Sequence, residues 1–418
     1  MSLRDDLLQM GVRARQASRA LARLSSRTKD DALRAMAEGL EAARAELQEV
    51  NRRDLDAADD AGLSAAMIDR LTLSDGVISG MAQGLREVAA LPDPVGEVTG
   101  MWKRPNGLMV GKKRIPLGVI AMIYESRPNV TADAGGLCLK AGNAIILRGG
   151  HEALHSSLAI AAVLDRVGRE AGIPEGAIQV VATTDRAAVG ELLQLDRHID
   201  LVIPRGGEGL IRYVTENSRI PVIQHFKGVC HVFVDASADL ERAEAIVMNG
   251  KVQRPGVCNA LETLLVHRDV ADGFLPRVGR ALAAAGVEIR GCPETMQRIG
   301  GAVPASDEDW DAEYLDLILA VRVVDSLDGA MDHIAAHGSL HTEAIVTGDY
   351  TSSQRFLDEV DASCVLVNAS TRFNDGQQLG LGAEIGIATT KLHSYGPMGL
   401  EDLTTTKFIV CGQGQIRE

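Results

Sequence analysis

The feature that most constrains this chain is an alternation that runs twice through its middle. Short apolar segments at Gly118 to Tyr124, Ala144 to Leu147, Ile178 to Val181 and Leu201 to Ile203 alternate with helical patterns from Ala132, Ala153, Arg186 and Gly209. A second series follows, with apolar segments at Glu262 to Val266, Ile318 to Val324, Glu343 to Val346 and Cys364 to Val367. Strands that are apolar on both faces must be covered on both faces, and strands joined through helices run parallel. The expectation is an α/β fold with two parallel sheets in tandem and a cleft between them. With 418 residues there is room for two or three domains.

The remaining segments read differently. From Arg4 to about Ala90 apolar residues recur every three or four positions, as in Leu33, Met36, Ala37 and Leu40, which predicts amphipathic helices. Helix starts are expected at Ser26 or Thr28 and at Ser74. Glu97 to Lys103 and Leu108 to Ile115 flank Pro105-Asn106-Gly107, and Asn-Gly between two such segments signals a hairpin. Thr404 to Cys411 reads as one more strand, open to pairing with the hairpin of a neighbouring subunit. Ser370 to Leu400 is a long Gly-rich stretch of weak periodicity, the kind that more often carries function than disorder.

Charge and composition narrow the partners. A net charge of −14 disfavours a broad surface for nucleic acid or an anionic membrane, although a local basic pocket still admits a small anion. Aromatic residues at 3% are too few for platforms that stack single-stranded nucleic acid. No apolar run approaches the roughly 20 residues of a membrane helix. The acidic start Met1-Ser-Leu-Arg-Asp-Asp6 does not read as a secretion signal, so a cytoplasmic location is expected. The six cysteines, at 138, 230, 258, 292, 364 and 411, form no C-x-x-C pair and predict neither a disulfide framework nor a zinc ribbon.

Cys258 stands apart in Gln253-Arg-Pro-Gly-Val-Cys-Asn259. Pro255 and Gly256 force a turn that would present the thiol at a sheet edge, and Arg254 is a nearby charge that favours thiolate. Most cysteines are packed core residues, so context decides. Ile145-Ile-Leu-Arg-Gly-Gly150 and Val202-Ile-Pro-Arg-Gly-Gly207 share one form, strand then Arg-Gly-Gly then helix, and either turn suits a phosphate. His151-Glu-Ala-Leu-His155 matches the H-E-x-x-H zinc protease pattern, an alternative of another class, but it starts in the first turn of a crossover helix and lacks a clear third ligand. His333, His337 and His341 are spaced for one helix face, with Gly338 interrupting it. His225, Cys230 and His231 are read as structural or as supporting a site.

Three long blocks carry a resemblance. They are Pro116-Leu-Gly-Val-Ile-Ala-Met-Ile-Tyr-Glu-Ser-Arg-Pro-Asn-Val-Thr131, Gln253 to Thr263, and Arg372-Phe-Asn-Asp-Gly376 with Gly380-Leu-Gly-Ala-Glu-Ile-Gly386. In these, and along nearly its whole length, the chain resembles the aldehyde dehydrogenase superfamily, in particular its members that reduce an acyl phosphate. The resemblance implies two Rossmann-like α/β domains plus a β-ribbon. An NADPH-binding domain would span 1–96 and 116–232, an oligomerisation ribbon 97–115 and 404–418, and a catalytic domain 233–403.

It also implies roles. Cys258 matches the nucleophile and Asn129 the oxyanion donor, with the Cys258 backbone N–H as its companion. Arg148, beside Gly149, matches a contact to the adenosine ribose or its 2′-phosphate of NADPH/NADP, Gly206 with Gly207 match a turn beside the pyrophosphate, and Glu313 matches a contact to the nicotinamide ribose. Glu125, Arg127, Arg254, Arg372, Asn374 and Asp375 are the expected substrate contacts. The substrate implied is L-glutamyl 5-phosphate, with no metal, a homo-oligomer, and a functional link to glutamate 5-kinase. At His225 the chain departs from the hydrolytic members, which carry there a Glu that activates water. Phosphate exchange and reduction are then favoured over hydrolysis.

Overall fold

The computed structural model describes residues 2–417, and the chain divides into two compact units. One comprises Met1–Gln224 with Leu381–Gly386 and Met398–Glu418, the other His225–Gly380 with Ile387–Pro397. The division falls at 224/225 rather than at 232/233, because Cys230–Val234 is hydrogen-bonded on both sides by strands of the second unit's sheet.

In the first unit five helices lead in, Leu3–Leu21, Ser26–Ala42, Arg44–Asp60, Ala65–Leu71 and Asp75–Ala90. The Ser74 hydroxyl accepts from Val77 N as expected, while the helix that begins at Ser26 is capped one residue earlier by the Ser25 hydroxyl, which accepts from Thr28 N. The apolar stripes of these helices, including Leu33, Met36, Leu40 and Leu85, are buried. The sheet has four parallel strands in the order Ile178–Val180, Ala144–Arg148, Val119–Tyr124, Leu201–Arg205. All six residues of Val119–Tyr124 and all five of Ala144–Arg148 are buried, as apolar strands between helical layers must be. The chain leaves Val119–Tyr124 to one side and returns on the other. Such a switch opens a crevice at the carboxyl ends of the strands, where Tyr124-Glu125, Arg148-Gly149 and Arg205-Gly206 lie.

A ribbon belongs to this unit. Val98–Lys103 and Met109–Pro116 pair antiparallel, turning through Gly107 at φ 89°. Thr404–Cys411, read from sequence as open to a neighbouring subunit, pairs with Met109–Pro116 of its own chain. Eight-residue registry with the second hairpin strand is available inside the chain, which satisfies one edge without a partner.

The second unit holds a seven-stranded parallel sheet. Its order is Val303–Pro304, Glu288–Gly291, Ile318–Val324, Leu261–His267, Cys230–Val234, Thr342–Val346, Cys364–Val367. Val232, Val234, Leu264, Val266, Val321 and Ala344 of the central strands form one face of its core with Phe274, Leu275 and Val278. Phe233, Leu265, Ile345 and Phe356 form the other. Among the described residues no helix is long and apolar enough to cross a membrane.

Candidate active site

In the first unit the crevice is a cavity of about 910 Å³, lined by Tyr124, Glu125, Arg148, Gly150, His151, Arg186, Leu210 and Tyr213 among others. That is within the size of a cofactor site. Arg148 ends its strand only 8% exposed and donates from Nη1 to Gly149 O at 2.7 Å, while its Nε has no hydrogen-bond partner. Burial, and then the nearby Arg186, hold its pKa below the usual guanidinium range, with Glu152 and Asp185 acting the other way. Two guanidiniums sharing a pocket want an anion. Arg186 had no signal in the sequence beyond its charge. A cofactor bearing phosphate groups fits this cavity on the orphaned Arg148 Nε alone.

Gly206 and Gly207 follow Leu201–Arg205 and precede the helix Glu208–Asn217. Gly207 N donates to Glu125 Oε2 at 3.0 Å, and a Cβ on Gly206 would lie 2.5 Å from the same oxygen. The structure therefore places Glu125, expected at the substrate, against the glycine turn. Asn129, half-buried just before the helix Val130–Lys140, donates from Nδ2 to Asp133 Oδ2 at 3.1 Å. Burial pushes the Asp133 carboxyl up to about 6. Arg127 is exposed in the same loop.

In the second unit Cys258 sits in the turn between the helix Leu240–Val252 and the strand Leu261–His267. Register pairs Cys230 with Leu261 and His231 with Glu343, so three parallel strands begin level. The residues just before them, Gly228, Cys258 and His341, meet at that end. This is the amino end of the sheet, whereas the general rule for open α/β sheets looks to the carboxyl end. The approach is close. A Cβ on Gly228 would be 2.0 Å from the Cys258 carbonyl oxygen, which also accepts from Cys230 Sγ at 3.1 Å. Gly228 N donates to Glu313 Oε1 at 2.8 Å, which ties the expected ribose ligand to the backbone that packs on Cys258.

Exposure separates the thiols. Cys138 and Cys230 are fully buried and desolvation drives both pKa values up, and Cys364 is pushed up to about 11. Cys258 is half-buried, with exposed Arg254 in its turn. Arg372 donates from Nε to Gln253 Oε1 at 2.8 Å. Burial, then Arg254, lower the Arg372 pKa, while Asp375 and a thiolate at Cys258 favour its charge. By the same attraction the guanidinium favours thiolate.

Asn374 has another use. It is fully buried, its Nδ2 donates to Thr342 Oγ1 at 2.7 Å, and its carbonyl accepts from Asn259 Nδ2 at 2.9 Å. It fastens the loop to the Cys258 turn, and its Oδ1 is buried without a hydrogen-bond partner. Asp375 Oδ1 accepts from Gln377 N and Gln378 N at 3.1 and 3.3 Å, closing the next turn.

The histidine patterns resolve locally. His151 lies in a single 3-10 turn, His151–Ala153, and His155 in the helix that follows, so the two are not on one α-helical turn. Glu152 accepts from Ser126 N at 2.8 Å and His155 Nδ1 contacts Asp54 Oδ1 at 2.8 Å, which leaves no protease centre there. His333 and His337 share the helix Leu327–His337, their rings 4.6 Å apart, but His341 lies beyond it. Its ring instead stacks edge-on to His225 at 5.5 Å. Burial and His225 hold the His341 pKa down to about 3, a neutral imidazole. Nothing in the sequence marked His341 or Gly228 as neighbours of Cys258, since both contacts are made across strands.

Comparison with known proteins agrees with this layout. The profile of the aldehyde dehydrogenase family matches residues 4–300. Gamma-glutamyl phosphate reductase of Geobacter metallireducens is 63% identical over 418 residues, covering all of both chains. That of Geotalea daltonii is 62% identical with the same coverage. The crystal structure of gamma-glutamyl phosphate reductase from Thermotoga maritima superposes with a TM-score of 0.97 at 45% identity, covering 99% of this chain and 100% of that one. An acetylating aldehyde dehydrogenase from Geobacillus thermoglucosidasius shares the fold, with a TM-score of 0.70 at 17% identity over 100% of this chain and 98% of that one. The chain thus belongs to the aldehyde dehydrogenase family, and within it to the gamma-glutamyl phosphate reductases.

Proposed function

We propose that the chain reduces L-glutamyl 5-phosphate to L-glutamate 5-semialdehyde and phosphate in proline biosynthesis, through a thioester on Cys258. The observation that carries the reaction is 63% identity, over its entire length, to a gamma-glutamyl phosphate reductase. The Cys258 thiolate attacks the acyl carbon, a C–S bond forms, and the C–O bond to phosphate breaks with its electron pair leaving on phosphate. NADPH, when bound, supplies the hydride that reduces the thioester carbon. Collapse of the resulting thiohemiacetal returns the sulfur to thiolate. In both steps the acyl oxygen becomes negative, and the donors assigned to it are the Cys258 backbone N–H and the Asn129 amide. Holding one Asn129 Nδ2 hydrogen on Asp133 orients that amide.

Arg254 and Arg372 are assigned to the anionic groups of the substrate, supported by their place around the Cys258 turn. Arg148 and Arg186 are assigned to the phosphates of NADPH, supported by the cavity they line. Glu313 is assigned to the nicotinamide ribose. A homo-oligomer is proposed on the ribbon, where Val98, Met101, Phe408 and Val410 are 47 to 65% exposed on two strands with open edges. An acyl phosphate is a short-lived anhydride, which supports a cytoplasmic enzyme acting beside the kinase that makes it. The test is Cys258→Ala. Semialdehyde-dependent NADP reduction in the presence of phosphate should fall by at least about 10³-fold, and normal turnover by the variant would refute the mechanism.

A further inference from the structure

We propose that His225, Cys258 and His341 form a soft-metal site that captures Zn²⁺ on the nucleophile. One ligand atom from each lies within 4.8 Å of the others. Tetrahedral zinc, with Zn–N of about 2.0–2.1 Å and Zn–S of about 2.3 Å, needs ligand atoms about 3.3–3.6 Å apart. The cluster is therefore roughly an ångström of side-chain movement from a binding geometry, and Cys258 and His225 are only half-buried. His341 supplies a second, independent pointer. It is 0% exposed, its Nδ1 is 2.6 Å from Thr342 Oγ1, and its Nε2 has no hydrogen-bond partner. A buried nitrogen in that state calls for an explanation, and a cation shared with its neighbours is one.

His225 is held in the same way. Its Nδ1 lies 3.2 Å from the Ile387 carbonyl, to which it donates, so the lone pair is on Nε2. Histidines that bind metal through one nitrogen commonly anchor the other on a carbonyl. Two imidazoles and a thiolate select Zn²⁺ or Co²⁺ over Mg²⁺ and Ca²⁺, which prefer oxygen. On binding, the Cys258 thiol gives its proton to solvent, both imidazoles stay neutral, and water completes the tetrahedron. Metal binding is independent of the reaction, while the inhibition it brings rests on Cys258 being the nucleophile proposed above.

The experiment titrates the full-length protein with Co²⁺ under reducing conditions and follows the thiolate-to-cobalt charge-transfer band. Wild type should show the band at about one Co²⁺ per chain, Zn²⁺ should remove it by displacement, and Mg²⁺ should not. Cys258→Ser should lack it. His341→Asn and His225→Asn should weaken Co²⁺ binding by at least about tenfold, while His337→Asn, outside the cluster, should not. Zn²⁺ should protect Cys258 from alkylation and slow turnover, with chelator restoring both. No band in wild type, or a band that survives Cys258→Ser, overturns the site, and neither outcome depends on the histidine variants folding. A band with unchanged turnover would uphold the site and count against the nucleophile.

Discussion

Gly228→Ala adds one methyl group against the backbone of Cys258, the proposed nucleophile. Its Cβ would lie 2.0 Å from the Cys258 carbonyl oxygen, 2.8 Å from the carbonyl carbon and 2.9 Å from Cα. Real Cβ contacts are essentially never under 3.0 Å, so 3.0 − 2.0 = 1.0 Å is the least separation the two backbones must gain. None of these three atoms is the flexible end of a side chain that could swing aside. Overpacking of this kind costs about 1–3 kcal/mol of stability. Displacing a reacting group by about 1 Å costs on the order of 10²-fold in rate. Gly228→Ala is therefore expected to lower kcat about 100-fold for phosphate-dependent semialdehyde oxidation. It should leave the protein folded, with a Tm lower by a few degrees and Cys258 still open to alkylation. Gly80→Ala is the control: Gly80 lies in a helix with nothing within 4 Å, so alanine should be neutral or stabilise by up to about 1 kcal/mol. A Gly228→Ala enzyme with kcat within about twofold of wild type would refute the claim that this contact positions Cys258.

Asp133 predicts a pH dependence. Its folded pKa of about 6 lies above the ordinary 3.8, so the folded chain holds a proton that the unfolded chain releases across that window. Stability is then lost as pH rises from about 4 to 6, by at most about 3 kcal/mol, and the contribution is flat above. Asp133→Asn should flatten this part of the profile in urea denaturation, and parallel profiles for both proteins would contradict it. Arg148→Ala or Arg186→Ala should raise KM for NADPH about 10–100-fold and for NADH less, because a charge-assisted contact to a phosphate is lost. Equal losses with both cofactors, in initial-rate assays, would remove these residues from recognition of the 2′-phosphate.

Much of this architecture is legible in the amino-acid sequence, for identifiable reasons. Ile318–Val324 and Cys364–Val367 appear at their expected bounds because short, mostly apolar runs between helical patterns read as strands. The hairpin around Asn106-Gly107 was visible because the turn demands a residue that tolerates positive φ. Glu288–Gly291 and Val303–Pro304 were not, being a part-polar strand and a two-residue strand that form one side of the second sheet. Cys258, the proposed nucleophile, stood out through its turn and the block around it. Its surroundings did not. Asn374 is a buried fastener of its loop, Glu125 turns to Gly207, and His341 lies beyond the helix that carries His333 and His337. These placements depend on strand register across the sheet, which no local spacing encodes.

The most direct test of the account supplies L-glutamate 5-semialdehyde and NADP to the enzyme without phosphate. A thioester on Cys258 that water attacks slowly should give a rapid burst of about one NADPH per chain and then near arrest. Adding inorganic phosphate should start steady turnover by releasing the acyl group. Sustained turnover without phosphate, or a burst that survives in Cys258→Ala, would contradict a phosphate-resolved thioester at this cysteine.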